Sequence, residues 1–131
     1  MSEVLAVQGL TKHYPAFTLE DVSFTLRPGV ITGFIGRNGA GKSTTFKSLL
    51  NLTHSDAGEV RFFGLDFAGH ERAIKSRIGY VPGEFVYYPR RKLGAIAEVA
   101  RHFYPNWDEE AYRRCLARFA LEEGKTVSQL S

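Results

Sequence analysis

The sequence predicts an α/β fold assembled around a phosphate-binding loop, and three observations carry that expectation. Residues 30–35 are a short run rich in β-branched and aromatic side chains, the composition of a strand. The stretch that follows, Gly36-Arg37-Asn38-Gly39-Ala40-Gly41-Lys42-Ser43, satisfies the pattern G-x-x-x-x-G-K-[ST]. Residues 42–51 then pass without glycine or proline and carry Phe46, Leu49 and Leu50, which suits a helix packed by one face on a sheet. Strand, glycine loop and helix succeed one another in the order that gives the motif its structural context.

The remaining elements follow from the same reasoning. Residues 4–8 and 18–26 read as strands, and the turn pair Pro28-Gly29 separates the second of them from the strand at 30–35. Ser55-Asp56-Ala57-Gly58 is a turn cluster, 59–63 a short strand, 71–77 a polar helical segment and 78–81 an apolar strand. Beyond Pro82-Gly83 the period changes. Leu93, Ile96, Ala97, Ala100, Phe103 and Tyr104 recur at helical spacing, and after Pro105 a second amphipathic helix places Ala111, Tyr112, Cys115, Leu116 and Phe119 on one face. Asn106 or Asp108 is its candidate N-cap and Gly124 its candidate end. Residues 1–87 therefore read as an α/β region, 88–124 as a small helical subdomain and 125–131 as the start of a further segment.

Composition narrows the class. The 131 residues fit a single domain, which is short for a nucleotide-hydrolysing α/β enzyme; 44% hydrophobic and 24% charged residues describe a globular chain and not a disordered one. A net charge of +3 favours polyanionic ligands without choosing between a nucleotide and a nucleic acid. Cys115 is the sole cysteine, so an intrachain disulfide is excluded, and its expected role is that of a small buried hydrophobe on a helix. No apolar run approaches the ~20 residues that span a bilayer, so membrane contact is expected to be peripheral.

The loop's spelling follows from its chemistry. Glycines let the backbone curl until successive N–H groups point at phosphate oxygens, and the helix N-terminus adds a dipole favourable to an anion. Lys42 is placed to neutralise the β- and γ-phosphates of a nucleoside triphosphate, the hydroxyl of Ser43 to bind Mg²⁺, and Thr44 to reach an inner phosphate. ATP with Mg²⁺ is the expected ligand.

Several further motifs stand at telling distances from this loop: Leu10-Thr11-Lys12-His13-Tyr14, Val22-Ser23-Phe24, Ser55-Asp56-Ala57-Gly58-Glu59-Val60, Ile78-Gly79-Tyr80-Val81-Pro82 and Thr126-Val127-Ser128-Gln129-Leu130-Ser131. With the loop they resemble, over nearly the whole chain, the ATP-binding subunits of ABC transporters. The resemblance implies a P-loop NTPase of the ABC ATPase type, with an antiparallel β region, an incomplete parallel core sheet and a small helical subdomain. It implies that Tyr14 stacks on adenine. Where the family's Q-loop places a glutamine that helps to hold Mg²⁺ and the attacking water, this sequence has Gly83, so either the neighbouring Glu84 takes that role or it is an ordinary solvated carboxylate. The same likeness implies transmembrane partner subunits received by the Q-loop and helical lobe, near Tyr87-Tyr88 and the run Arg90-Arg91-Lys92, which taken by itself reads as a solvated basic helix start. It also implies a homo- or heterodimer of ATP-binding subunits and a place on the cytoplasmic face of a membrane, with no specific nucleic acid. The sequence ends at the first two residues of the family's signature, before its Walker B acidic pair. The expectation is a nucleotide-binding portion of a longer ATPase that does not hydrolyse ATP alone. Two other readings stay open: an ABC ATPase acting on nucleic acid or ribosomes, and a small P-loop kinase or GTPase, which would leave Tyr14 and the signature-like ending unexplained.

Overall fold

A computed structural model of the chain describes residues 3–37, 39, 41–81 and 88–130. The fold has two units, Met1–Lys75 and Ser76–Ser131. In the first, strands β1 (Leu5–Tyr14) and β2 (Phe17–Leu26) form a hairpin, and β3 (Ala57–Phe62) and β4 (Leu65–Asp66) extend the sheet in the order β2-β1-β3-β4 with every neighbour antiparallel. Helix α1 (Lys42–Leu49) and helix α2 (Phe67–Lys75) complete this unit.

Strand β1 runs well past the expected 4–8 because it carries a bulge that hides its period. Leu5 and Val7 point into the core by strict alternation. Gly9, at φ 62°, then inserts one residue, so that Leu10 takes the inward place and is fully buried. Strand β2 makes the matching slip at Asp21 (φ 48°): Leu19 is buried before it, and Val22, Phe24 and Leu26 are half-buried beyond it. The irregular backbone is satisfied by side chains. Gly9 N donates to Ser23 Oγ at 2.8 Å, and Thr11 Oγ1 donates to Gly9 O and accepts from Asp21 N, both at 3.1 Å. Strand β3 crosses this bulge so closely that a Cβ on Gly58 would lie 2.6 Å from Leu10 Cα. The core is closed by Leu5, Val7, Leu10, Leu19 and Phe62 from the sheet, Thr45, Ser48 and Leu49 from α1, and Phe67 and Ile74 from α2.

Two expected strands form no ladder. Residues 30–35 join no ladder among the described residues, with Phe34 packed on Phe24 and Phe46 (ring centroids 5.7 and 5.5 Å apart) while Ile31 and Ile35 are 100% and 96% exposed. Residues 78–81 are likewise unpaired, and Val81 is exposed. Both segments are apolar on two faces, the signature of strands covered on both sides. A β ladder needs a neighbour to supply its hydrogen bonds, and no described residue stands in that place; the sheet that forms is the antiparallel one. Helix α1 also turns a different face inward than its apolar residues suggest: Thr45, Ser48 and Leu49 are buried and Phe46 is exposed.

In the second unit, α3 (Leu93–Phe103) and α4 (Glu109–Arg118) match the two expected helices. Ala97 is buried and Leu93, Ile96 and Ala100 are half-buried, as the spacing predicts, whereas Phe103 is exposed. Asp108 is the N-cap of α4, its Oδ1 accepting from Ala111 N at 2.9 Å. The helix ends at Arg118 with Ala120 at φ 51°, so Gly124 is not its stop; and Cys115 is exposed rather than buried, because α4 buries no residue fully. Residues 123–128 run back beside 89–94 through backbone bonds such as Leu93 N to Lys125 O (2.9 Å) and Val127 N to Arg91 O (3.0 Å), and lead into a single 3-10 turn, Val127–Gln129. Arg90, Arg91 and Lys92 are all exposed, as a solvated basic helix start would be. No helix among the described residues is long and apolar enough to cross a membrane.

Candidate functional site

The glycine loop is built by main-chain geometry that only its sequence permits. Gly39 (φ 84°) and Gly41 (φ 100°) lie in the left-handed region, where a Cβ is strained, and they curl the chain into the first turn of α1. Gly41 is the helix N-cap and brings no side chain to it, and the first turn holds no acidic residue to neutralise the positive end of the helix dipole. Lys42, the first helical residue, folds back across the loop and donates from Nζ to Gly36 O. Ser43 is exposed, Thr44 half-buried and Arg37 exposed. Asn38 and Ala40 lie outside the described residues, as do Gly83, Glu84 and Tyr87.

Beneath the loop, Thr45 donates twice to Gly41 O, from its backbone N and from Oγ1, each at 2.8 Å, and its side chain is buried. A Cβ on Gly41 would meet Leu19 Cδ1 at 2.8 Å and Phe17 Cζ at 2.9 Å. The loop therefore rests on the first residues of β2. Phe17 is also the register partner of Tyr14 across the two-residue turn of the hairpin, so the strand residue that supports Gly41 is paired with the one that ends β1. Tyr14 is 39% exposed, with Lys12 Nζ 5.5 Å from its ring centroid.

A second set of contacts holds the end of β1. Asp56 N donates to Thr11 O at 2.8 Å, His13 N donates to Asp56 Oδ2 at 2.6 Å, and Lys12 Nζ lies 3.8 Å from Asp56 Oδ1. The hydrogen bond from His13 holds the Asp56 carboxyl below its ordinary value, with the charges of Lys12 and His13 adding to it. Sequence reasoning missed Phe17, Leu19 and Thr45 as supports of the loop, and Asp56 as an anchor of Thr11, Lys12 and His13 near the end of β1. Only Lys12 was within reach of pattern, since residues two apart on a strand share a face.

The arrangement offers a cation, an open helix N-terminus and an exposed hydroxyl at one end, and an aromatic ring at the other. Such a set is suited to a phosphorylated ligand with a planar group. Among the described residues there is no group of three or more His, Cys, Asp or Glu that could hold a metal ion.

Comparison with known proteins gives a consistent result. The family model described as ABC transporter matches residues 19–131. The ABC-type transporter ATP-binding protein EcsA of Bacillus subtilis (strain 168) is 40% identical over 124 residues, covering 92% of this chain and 50% of that protein. The ABC transporter ATP-binding protein YtrB of the same organism is 30% identical over 113 residues, covering 86% of this chain and 38% of YtrB. A solved structure of the ATP-binding subunit of an ABC transporter superposes with a TM-score of 0.83 at 30% identity, covering 98% of this chain and 56% of that one. The chain thus spans about half the length of the proteins it matches, or less.

Proposed function

This chain belongs to the ABC transporter family, and we propose that it holds ATP with Mg²⁺ at the loop Gly36 to Thr44, as part of an ATP-binding subunit that couples ATP binding and hydrolysis to transport across a membrane. The observation that carries this reading is the loop itself: Gly39 and Gly41 in the left-handed region, an N-terminus of α1 without a side-chain cap, and Lys42 lying across the loop. In this role Lys42 neutralises the outer phosphates and the loop N–H groups, those of Asn38 and Ala40 included, bind phosphate oxygens. The Ser43 hydroxyl supplies one oxygen to Mg²⁺, Thr44 reaches an inner phosphate and Tyr14 stacks on the base. Ser43 would help to hold the metal, whose charge would offset the negative charge on the phosphates.

The subunit works on the cytoplasmic face of a membrane, paired with a second ATP-binding subunit and docked on transmembrane subunits through the segment around Glu84 and the helical unit, with 88–124 as its helical subdomain and 125–131 the start of its signature. Glu84 is assigned there as the substitute for the Q-loop glutamine that Gly83 lacks. For the 131-residue chain alone we propose nucleotide binding without turnover. Phosphoryl transfer needs a positioned base and a metal carboxylate, and residues 36–44 include neither Asp nor Glu.

Titration calorimetry with MgATP tests the reading. Lys42→Ala is expected to weaken binding at least about tenfold, the scale on which one charge-assisted contact to phosphate acts. Equal affinity of the variant and the unmodified chain would remove the loop from the site, and a Lys42-dependent ATPase rate from the 131-residue chain would overturn the claim of binding without turnover.

A further inference from the structure

Tyr14 does not present two equivalent faces. Lys12, two residues earlier on the same face of β1, lies with its ammonium 5.5 Å from the ring centroid, and its side chain is only 18% exposed. It is kept there from outside the strand by Asp56 Oδ1 at 3.8 Å. Asp56 is itself fixed: its Oδ2 accepts from His13 N at 2.6 Å and its own N donates to Thr11 O at 2.8 Å. The carboxylate is therefore a rigid post at the entrance of β3, and Lys12 is held between that post and the ring.

We propose that Lys12 is the positioning residue of the base platform: anchored by Asp56, its ammonium backs one face of Tyr14 and thereby orients and tunes the opposite face for a purine. Two physical effects act together. The cation blocks the ring from tilting toward β3, which lowers the entropy lost when a base stacks. It also draws π density toward itself, so the far face repels the electron-rich purine less. Lys12 does not serve as a phosphate ligand in this account, because Asp56 already engages its charge.

The inference rests on the reading that Tyr14 receives the base, and the experiment separates the two. Affinities of the 131-residue chain for MgATP and for magnesium tripolyphosphate are measured by calorimetry, and their ratio reports what the nucleoside adds to the phosphates. Tyr14→Ala collapses the ratio if the ring is the base platform. Lys12→Met lowers the ratio about two- to fivefold, the scale of an exposed cation–π contact, with tripolyphosphate affinity unchanged. Lys12→Arg restores it. Asp56→Asn, whose amide oxygen still accepts from His13 N but carries no charge, follows Lys12→Met. A ratio untouched by Lys12→Met, or a parallel loss for both ligands, overturns the role assigned to Lys12. A ratio untouched by Tyr14→Ala overturns the base platform instead, and failure of the unmodified chain to bind MgATP overturns both.

Discussion

Replacing Gly41 by alanine tests whether the loop is held up by β2, and Gly39→Ala is its internal control. Both glycines have positive φ, 84° at Gly39 and 100° at Gly41, so each alanine incurs the strain of the left-handed region, about 1–2 kcal/mol. They differ in what the new Cβ meets. At Gly39 nothing lies within 4 Å, whereas at Gly41 Leu19 Cδ1 and Phe17 Cζ lie at 2.8 and 2.9 Å. Leu19 is buried, so its methyl group has little free volume to move into. Displacing it is an overpacking change that adds about 1–3 kcal/mol. With a urea m-value of about 2 kcal/mol per molar for a domain of this size, that increment corresponds to an unfolding midpoint about 0.5–1.5 M lower for Gly41→Ala than for Gly39→Ala. The measurement is equilibrium urea unfolding of the nucleotide-free chain, followed by circular dichroism. Coincident midpoints for the two variants would refute the support of the loop by Phe17 and Leu19.

The two buried hydroxyls of α1 predict changes of opposite sign. Thr45→Val removes the 2.8 Å bond to Gly41 O and destabilises by about 1 kcal/mol, while Ser48→Ala, which deletes a buried Oγ with no partner among the described residues, stabilises by a similar amount; the same urea assay reads both. Asp108→Ala removes the N-cap of α4 and lowers stability by about 1 kcal/mol, whereas Asp108→Asn retains most of it, as measured by the thermal midpoint of the helical signal. The second unit also has a defined pH window. Hydrogen bonds from Arg101 and Trp107 hold the Glu109 carboxyl below its ordinary 4.5, and the bond from Tyr112 does the same for Glu123, so the stabilisation they give is full above about pH 4.5 and fades as pH falls further. Burial, with the bond to Glu123, pushes the Tyr112 phenol up from 10.0 to about 12, so its contribution is full below pH 10 and is lost as pH climbs from there. Melting profiles against pH are expected to be flat between these limits. Arg101→Ala makes the acid fall shallower and Tyr112→Phe makes the alkaline fall shallower; unchanged limbs would argue against both assignments.

The places where sequence and structure part have physical causes. Residues 30–35 have the composition of a strand, yet pairing is a property of the neighbour, and they find none among the described residues. The bulges at Gly9 and Asp21 conceal half of β1, because a pattern of alternating burial loses its phase where one residue is inserted. Cys115 sits on its expected helix, but α4 is half-covered at most, so helical spacing did not translate into burial. The anchors in the turn at Asp56 and the supports at Phe17 and Leu19 come from strands or turns distant in sequence, and no local pattern could connect them to the loop.

What the residues by themselves determined is local and covalently ordered: the spelling of the loop from Gly36 to Thr44, the start of α1 at Lys42, a cap at Asn106 or Asp108 and the two helices of the second unit. Each depends on groups within one or two turns of chain, where backbone sterics and hydrogen-bond reach act without help from the rest of the fold. What only the tertiary structure decided is which distant groups meet. The sheet closed antiparallel around β1, Phe17, the register partner of Tyr14, came to lie against Gly41, and a turn carboxylate came to hold Lys12 over an aromatic ring. Those meetings depend on loop closure and packing among segments tens of residues apart, which composition and period do not encode.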